Sequence, residues 1–156
     1  MENLLLARVD DRLIHGQVMT AWMKLLPAKE IIIVDDKVAK DSFMIQVLTM
    51  AAPSGIKVKV LSSEDAIEVL SKGLKIPSIM LAKTPITYKK LVDAGIPLEE
   101  VNIGGMGISG DRTTLHKNIA ADPAEREAIK EFISKEISVR IQVIPQDKSI
   151  DISTVL

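Results

Sequence analysis

The chain has 156 residues, 47% apolar but only 3% aromatic, and 20 basic and 21 acidic side chains leave a formal net charge of −1. That length fits one domain, residues 1–156, able to hide about 68–70% of the unfolded chain's surface in an aliphatic core. The charge balance excludes a basic field for nucleic acid or anionic membranes, the lack of cysteine excludes disulfides and thiolate metal sites, and no apolar run reaches the ~20 residues that span a bilayer.

The N-terminus shows no basic segment followed by a cleavable apolar run, so no signal peptide is expected. Residues 3–9 read as a buried strand, and 16–26 as a helix with Val18, Ala21, Trp22, Leu25 and Leu26 at helical spacing and Pro27 ending it. A second buried strand, 30–34, closes on Asp35-Asp36. Asp41 caps a helix that Pro53-Ser54-Gly55 stops. A strand over 57–61 leads to Ser62-Ser63 and an acidic first turn, which start a helix to about Ser71. The strand 78–82 is followed by Thr84-Pro85, a helix start with proline in its first turn, and Gly95-Ile96-Pro97 ends that helix. Residues 100–103 form a strand running into a glycine-rich loop, Gly104–Gly110. Asp122-Pro123-Ala124-Glu125 opens another helix by cap, proline and acidic turn. A last strand covers 138–143, and the tail Ser149–Leu156 has too weak a pattern for a full helix.

Short, β-branched strands that are apolar on both faces alternate with helices. The fold class is therefore α/β, a single domain with a mainly parallel sheet covered by helices on both faces. In such sheets the loops after the strands meet at one edge, here Asp10–His15, Asp35-Asp36, Ser62-Ser63, Lys83-Thr84-Pro85 and Gly104–Gly107.

The first of these loops concentrates the chemistry. Arg8-Val9-Asp10-Asp11-Arg12-Leu13-Ile14-His15-Gly16-Gln17 puts two arginines, two aspartates and an imidazole at one strand-to-helix turn. A neutral imidazole is a competent nucleophile, and a phosphoryl group on it needs neutralising donors. Arg8 and Arg12 can supply forked donors, Gly16 and Gln17 backbone N–H groups at a helix start, and Asp10 or Asp11 an orienting carboxylate. Without further information the same run reads equally as a surface loop with internal ion pairs. His116, the other histidine, lies far from any loop signature and reads as a surface residue. Gly105-Met106-Gly107-Ile108-Ser109-Gly110 has dinucleotide-type spacing, but no amphipathic helix follows, so it reads as a loop lining the pocket with its backbone. Asp35-Asp36 with Lys83 is similar to the pocket of phospho-aspartate receivers in the wrong order. Asp36 reads as a helix cap, Lys83 as solvated, and Asp35 as an aid in orienting the first loop. Two distant histidines offer no metal-ligand spacing.

The run 8–18 resembles the phosphorylation loop of the mannose/sorbose-type IIB components of the bacterial sugar phosphotransferase system. The likeness extends to Ile32-Ile33-Val34-Asp35-Asp36, Ala51-Ala52-Pro53-Ser54-Gly55, Leu91–Gly95 and Val101-Asn102-Ile103-Gly104-Gly105-Met106. The resemblance implies that His15 accepts a phosphoryl group, through Nδ1, from a phosphohistidine on a IIA protein or domain. It would then pass the group to a sugar entering through the membrane proteins IIC and IID. It further implies Arg8 and Arg12 as phosphate ligands, Asp10 as orienting group, no cofactor, and a cytoplasmic protein held at the inner membrane face by IIC and IID. Ala21 stands where several relatives carry arginine, Met44 and Ile45 lie in a helix where mannose- and sorbose-type members often place arginines, and Lys83-Thr84-Pro85 departs from the mannose-type form, so the resemblance does not assign the sugar. The competing expectation is a non-catalytic α/β module that binds phosphorylated ligands or nucleotides in the same pocket.

Overall fold

The computed structural model describes residues 1–156. Its strands are β1 (Leu4–Asp10), β2 (Glu30–Val34), β3 (Lys57–Leu61), β4 (Ser78–Ala82), β5 (Glu100–Gly105), β6 (Thr113–His116), β7 (Ile119–Ala121), β8 (Ser138–Ile141) and β9 (Ile150–Asp151). Its helices are α1 (Gly16–Leu25), α2 (Ser42–Ala51), α3 (Ser63–Ser71), α4 (Pro85–Asp93) and α5 (Pro123–Ser134). The main sheet has seven strands in the order β3-β2-β4-β1-β5-β8-β9. All its pairs are parallel except β8 with β9.

Strand alternation divides the core in two. Ala7, Val9, Ile32, Val34, Met80, Ala82, Val101 and Ile103 point to one face and pack under α3, α4 and α5. Ile31, Ile33, Ile79 and Leu81 point to the other and pack under α1 and α2 with Val18, Met19, Trp22 and Leu48. The expected α/β sheet with helices on both faces is therefore what the chain forms. The caps follow from side-chain chemistry: Asp41, Ser62, Thr84 and Asp122 each accept a first-turn backbone N–H, and Asp122 and Glu125 form a reciprocal capping box. The β3 edge carries exposed Lys57 and Lys59, which discourage pairing with another chain.

Several boundaries differ from the sequence reading. β5 runs on through Gly104 and Gly105, which were expected as loop, and the glycine-rich segment then leads to the antiparallel hairpin β6–β7, for which the sequence reading had assigned no element. β8 stops at Ile141 instead of 143, because the chain turns back to add the two-residue β9. The tail ends in a single 3-10 turn, Ile152–Thr154, whose Ile152 is fully buried.

β1 sits centrally. Its connection leads toward β2, past β4, whereas the chain leaving β5 leads outward to β8. Adjacent strands whose connections diverge open a crevice at their carboxyl ends, and here that crevice lies between β1 and β5.

Candidate functional site

On the face of β1 toward α1, Arg8 and Asp10 stand where β2 and β4 carry isoleucine and leucine. Arg8 is fully buried and Asp10 is 1% exposed. Arg8 Nη1 donates to Asn102 Oδ1 (2.7 Å) and to the Gln142 carbonyl (3.1 Å), and Nη2 donates to Asp10 Oδ2 (3.3 Å). Its guanidinium carbon lies 5.7 Å from the Trp22 ring centroid. Against β5 there is room for it only because residue 104 is glycine: a Cβ there would overlap the guanidinium, and one at Gly105 would lie 2.6 Å from Asp10 Oδ1. These two glycines make room for a buried ion pair; with a hairpin after Gly107 in place of a helix, the segment is no dinucleotide fingerprint.

Asp10 orders the loop beyond it. Its Oδ1 accepts the Arg12 backbone N–H and Nε (both 3.0 Å), and its Oδ2 accepts Arg12 Nη2 (3.1 Å). Burial alone would raise the Asp10 carboxyl, but the Arg12 hydrogen bonds and the Arg8 charge outweigh it and hold the group below its usual range. The Leu13 N–H donates to the Asp10 carbonyl (2.8 Å), and Leu13 takes a left-handed conformation, φ 59°. That backbone costs a non-glycine residue about 1 kcal/mol, offset here by burial of the Leu13 and Ile14 side chains in the α1 core.

His15 follows at the N-cap position of α1 without capping it. The ring is half-buried, and its Nδ1 is shielded and has no hydrogen-bond partner. Presenting Nδ1 to a donor therefore requires the ring to turn. A Cβ at Gly16 would meet only the Ala51 carbonyl at an ordinary 3.7 Å, so packing within the chain does not demand glycine there.

Four expectations change in detail. Arg8, expected as a phosphate ligand, is wholly buried with its Nη atoms on Asn102, the Gln142 carbonyl and Asp10, where it supports the Asp10 carboxylate. Asp35 spends its Oδ1 on the Lys37 and Val38 N–H groups and does not touch the first loop. Asp36 caps as expected, but across the sheet edge, accepting the Ser63 N–H (2.7 Å). His116 is not remote: the β6–β7 hairpin folds it back to line the β1/β5 crevice with Asp11 and Arg12.

Sequence reasoning missed a second ionic cluster. Arg112 donates to both Glu125 oxygens (2.9 Å each), to Asp11 Oδ2 (3.2 Å) and to the Gly107 carbonyl (3.1 Å). Glu125 also accepts from Thr84 Oγ1 (2.7 Å) and from the Asp122 N–H (3.1 Å). The Gly107 N–H donates to Asp11 (2.8 Å). The β4, β5 and first loops are thereby tied to the α5 N-terminus. Burial would raise Glu125, yet Arg112 and Thr84 outweigh it and lower the group. The capping box announced Glu125; nothing in the sequence paired it with Arg112.

Comparison with known proteins gives one result throughout. The family model for the PTS system sorbose subfamily IIB component matches residues 4–156. The sorbose-specific EIIB component of Lacticaseibacillus casei is 40% identical over 149 residues, covering 94% of this chain and 91% of that protein. The fructose-specific EIIB component of Bacillus subtilis is 30% identical over 162 residues, covering 100% and 97%. The crystal structure of the IIBSor domain of the sorbose permease from Klebsiella pneumoniae superposes with a TM-score of 0.89 at 35% identity, covering 96% of this chain and 93% of that one.

Proposed function

Because this chain belongs to the sorbose-subfamily IIB components of the sugar phosphotransferase system, and so is a phosphotransferase of that system, we propose that His15 carries the phosphoryl group. The observation that carries this assignment is an imidazole at the start of α1, free of any capping bond, beside a loop fixed by buried ion pairs.

The donor is a phosphohistidine on IIA, as a separate protein or a linked domain. A nitrogen of neutral His15 attacks phosphorus in line, and the P–N bond to the donor breaks with its electron pair returning to the donor ring. In the second step a sugar hydroxyl attacks phospho-His15. The P–N bond breaks, and the hydroxyl proton passes to the nitrogen released. Catalysis is then positioning and charge stabilisation. Arg12 is the phosphate ligand: Asp10 holds its Nε and Nη2, its side chain is 47% exposed, and its Nη1 end is uncommitted. Asp10 is a positioning residue for Arg12, and Arg8 one for Asp10. The unpaired N–H groups of the first turn of α1 add to the anion's stabilisation.

The acceptor is a sugar carried by IIC and IID, with the protein docked at the cytoplasmic face of the membrane. No helix of the chain is long and apolar enough to cross a membrane. Exposed Phe43, Val47 and Met50 lie on α2, whose last residue adjoins Gly16, and they supply apolar area for contact with IIA. The reading of a non-catalytic ligand-binding module has no support beside a family of phosphotransferases. Peptide mapping in alkaline solution after incubation with phosphorylated IIA tests the assignment. The peptide holding His15 gains the phosphoryl group; label on the peptide holding His116 overturns it.

A further inference from the structure

The β1/β5 crevice encloses about 640 Å³, the size of a small-molecule site. His15 is not among its lining residues, so it is distinct from the atom that carries the phosphoryl group. Its floor is apolar, made by buried Met106, Ile119 and Ile141. Arg12, Lys117 and Lys148 line it as cations. Of these charges, Asp11 is already engaged by Arg112 and the Gly107 N–H and Arg12 is held on one edge by Asp10, which leaves Lys117 and Lys148 against Asp147. Neutral hydrogen-bonding groups complete the lining. Asn118 is exposed there, and Gln142 spends its Nε2 on the Pro145 and Asp147 carbonyls, leaving Oε1. His116 Nε2 is buried without a partner.

An apolar floor suits the C–H face of a sugar ring, amide groups suit its hydroxyls, and clustered cations suit a phosphate. We propose that this crevice binds a phosphorylated sugar, the class of product the relay makes. Arg12 lines the crevice, so the product competes for the arginine assigned to phospho-His15. Only the choice of ligand class rests on the relay reading.

The test is titration of the full chain, followed by backbone NMR, with hexose 1- and 6-phosphates, the free hexoses and inorganic phosphate. A hexose phosphate is expected to saturate the protein at low millimolar concentration, shifting the signals of Lys117, Asn118, Gln142 and Lys148. The double variant Lys117→Asn/Lys148→Ala weakens that binding by about tenfold or more. Asparagine is chosen because residue 117 has φ 49°, a conformation asparagine tolerates. His15→Gln leaves the affinity unchanged. No saturable binding by any hexose phosphate overturns the proposal, as does undiminished binding by the double variant. Equal affinity for inorganic phosphate removes the sugar from it, and equal affinity for free hexose removes the phosphate; either overturns it. Phosphorylation of the wild type by IIA, measured alongside, tests the relay independently: its failure removes the relay and leaves the binding result standing.

Discussion

Asp10→Asn separates a positioned buried ion pair from an incidental one. The carboxylate is 1% exposed and lies between Arg8, which is wholly buried, and Arg12, which is half-exposed. Asparagine keeps the shape but brings an NH2 group toward two guanidinium donors and leaves the Arg8 charge with only the neutral oxygens of Asn102 and Gln142. Removing one partner of a buried pair costs about 3–5 kcal/mol. Native domains are stable by only about 5–15 kcal/mol, and a chain of this size loses about 2–4 °C of Tm per kcal/mol, so the expected fall is about 6–20 °C. Urea unfolding of wild type, Asp10→Asn, Arg8→Met and the double variant measures the coupling. The double variant should lose less than the sum of the singles by about 2–3 kcal/mol. A single-variant cost under about 1 kcal/mol, the range of exposed pairs, would refute the argument.

Gly104→Ala should destabilise by about 3 kcal/mol or more in thermal melts, since its methyl group overlaps Arg8, whereas Gly107→Ala, 3.6 Å from Asp11 Oδ2, should cost far less from packing. Glu125→Gln should cost about 3–5 kcal/mol in urea unfolding, because Arg112 then loses its principal charge partner, itself 3% exposed. The folded-state carboxyls of Asp10 and Glu125 lie below their unfolded values. Their contribution is therefore full above about pH 4–4.5 and lost as pH falls through the lowered values; Asp10→Asn and Glu125→Gln should each flatten the acid limb of stability against pH. Gly16→Ala should leave the melting temperature within about 1–2 °C of wild type while slowing transfer from IIA, because packing within the chain tolerates the methyl group and an approaching donor does not.

The helices were legible because their signals are local. A capping side chain at Asp41, Ser62, Thr84 or Asp122 sits one residue before the turn it satisfies, and aliphatic runs such as Ile31–Val34 declare strands buried on both faces. The hairpin was not legible: Thr113–His116 is half-exposed and polar, and its pairing with Ile119–Ala121 is only a few residues long. That omission also hid the position of His116, which the hairpin alone carries to the crevice. Arg8 misled for a different reason. Residue 8 lay inside the expected strand 3–9, but nothing in the sequence showed that strand alternation would turn its side chain under Trp22 and onto Asp10. Arg112 and Asp11 are 101 positions apart, a pairing that only the assembled sheet edge creates.

Everything proposed for the relay depends on a phosphoryl group carried by His15. Intact mass should be measured after incubation with phosphoenolpyruvate, the general phosphotransferase proteins and a cognate IIA, for wild type and His15→Ala. The wild type should gain one phosphoryl group, lost in acid, and a folded His15→Ala none. Label on that variant, or no label on the wild type beside a demonstrably phosphorylated IIA, would contradict the assignment to His15.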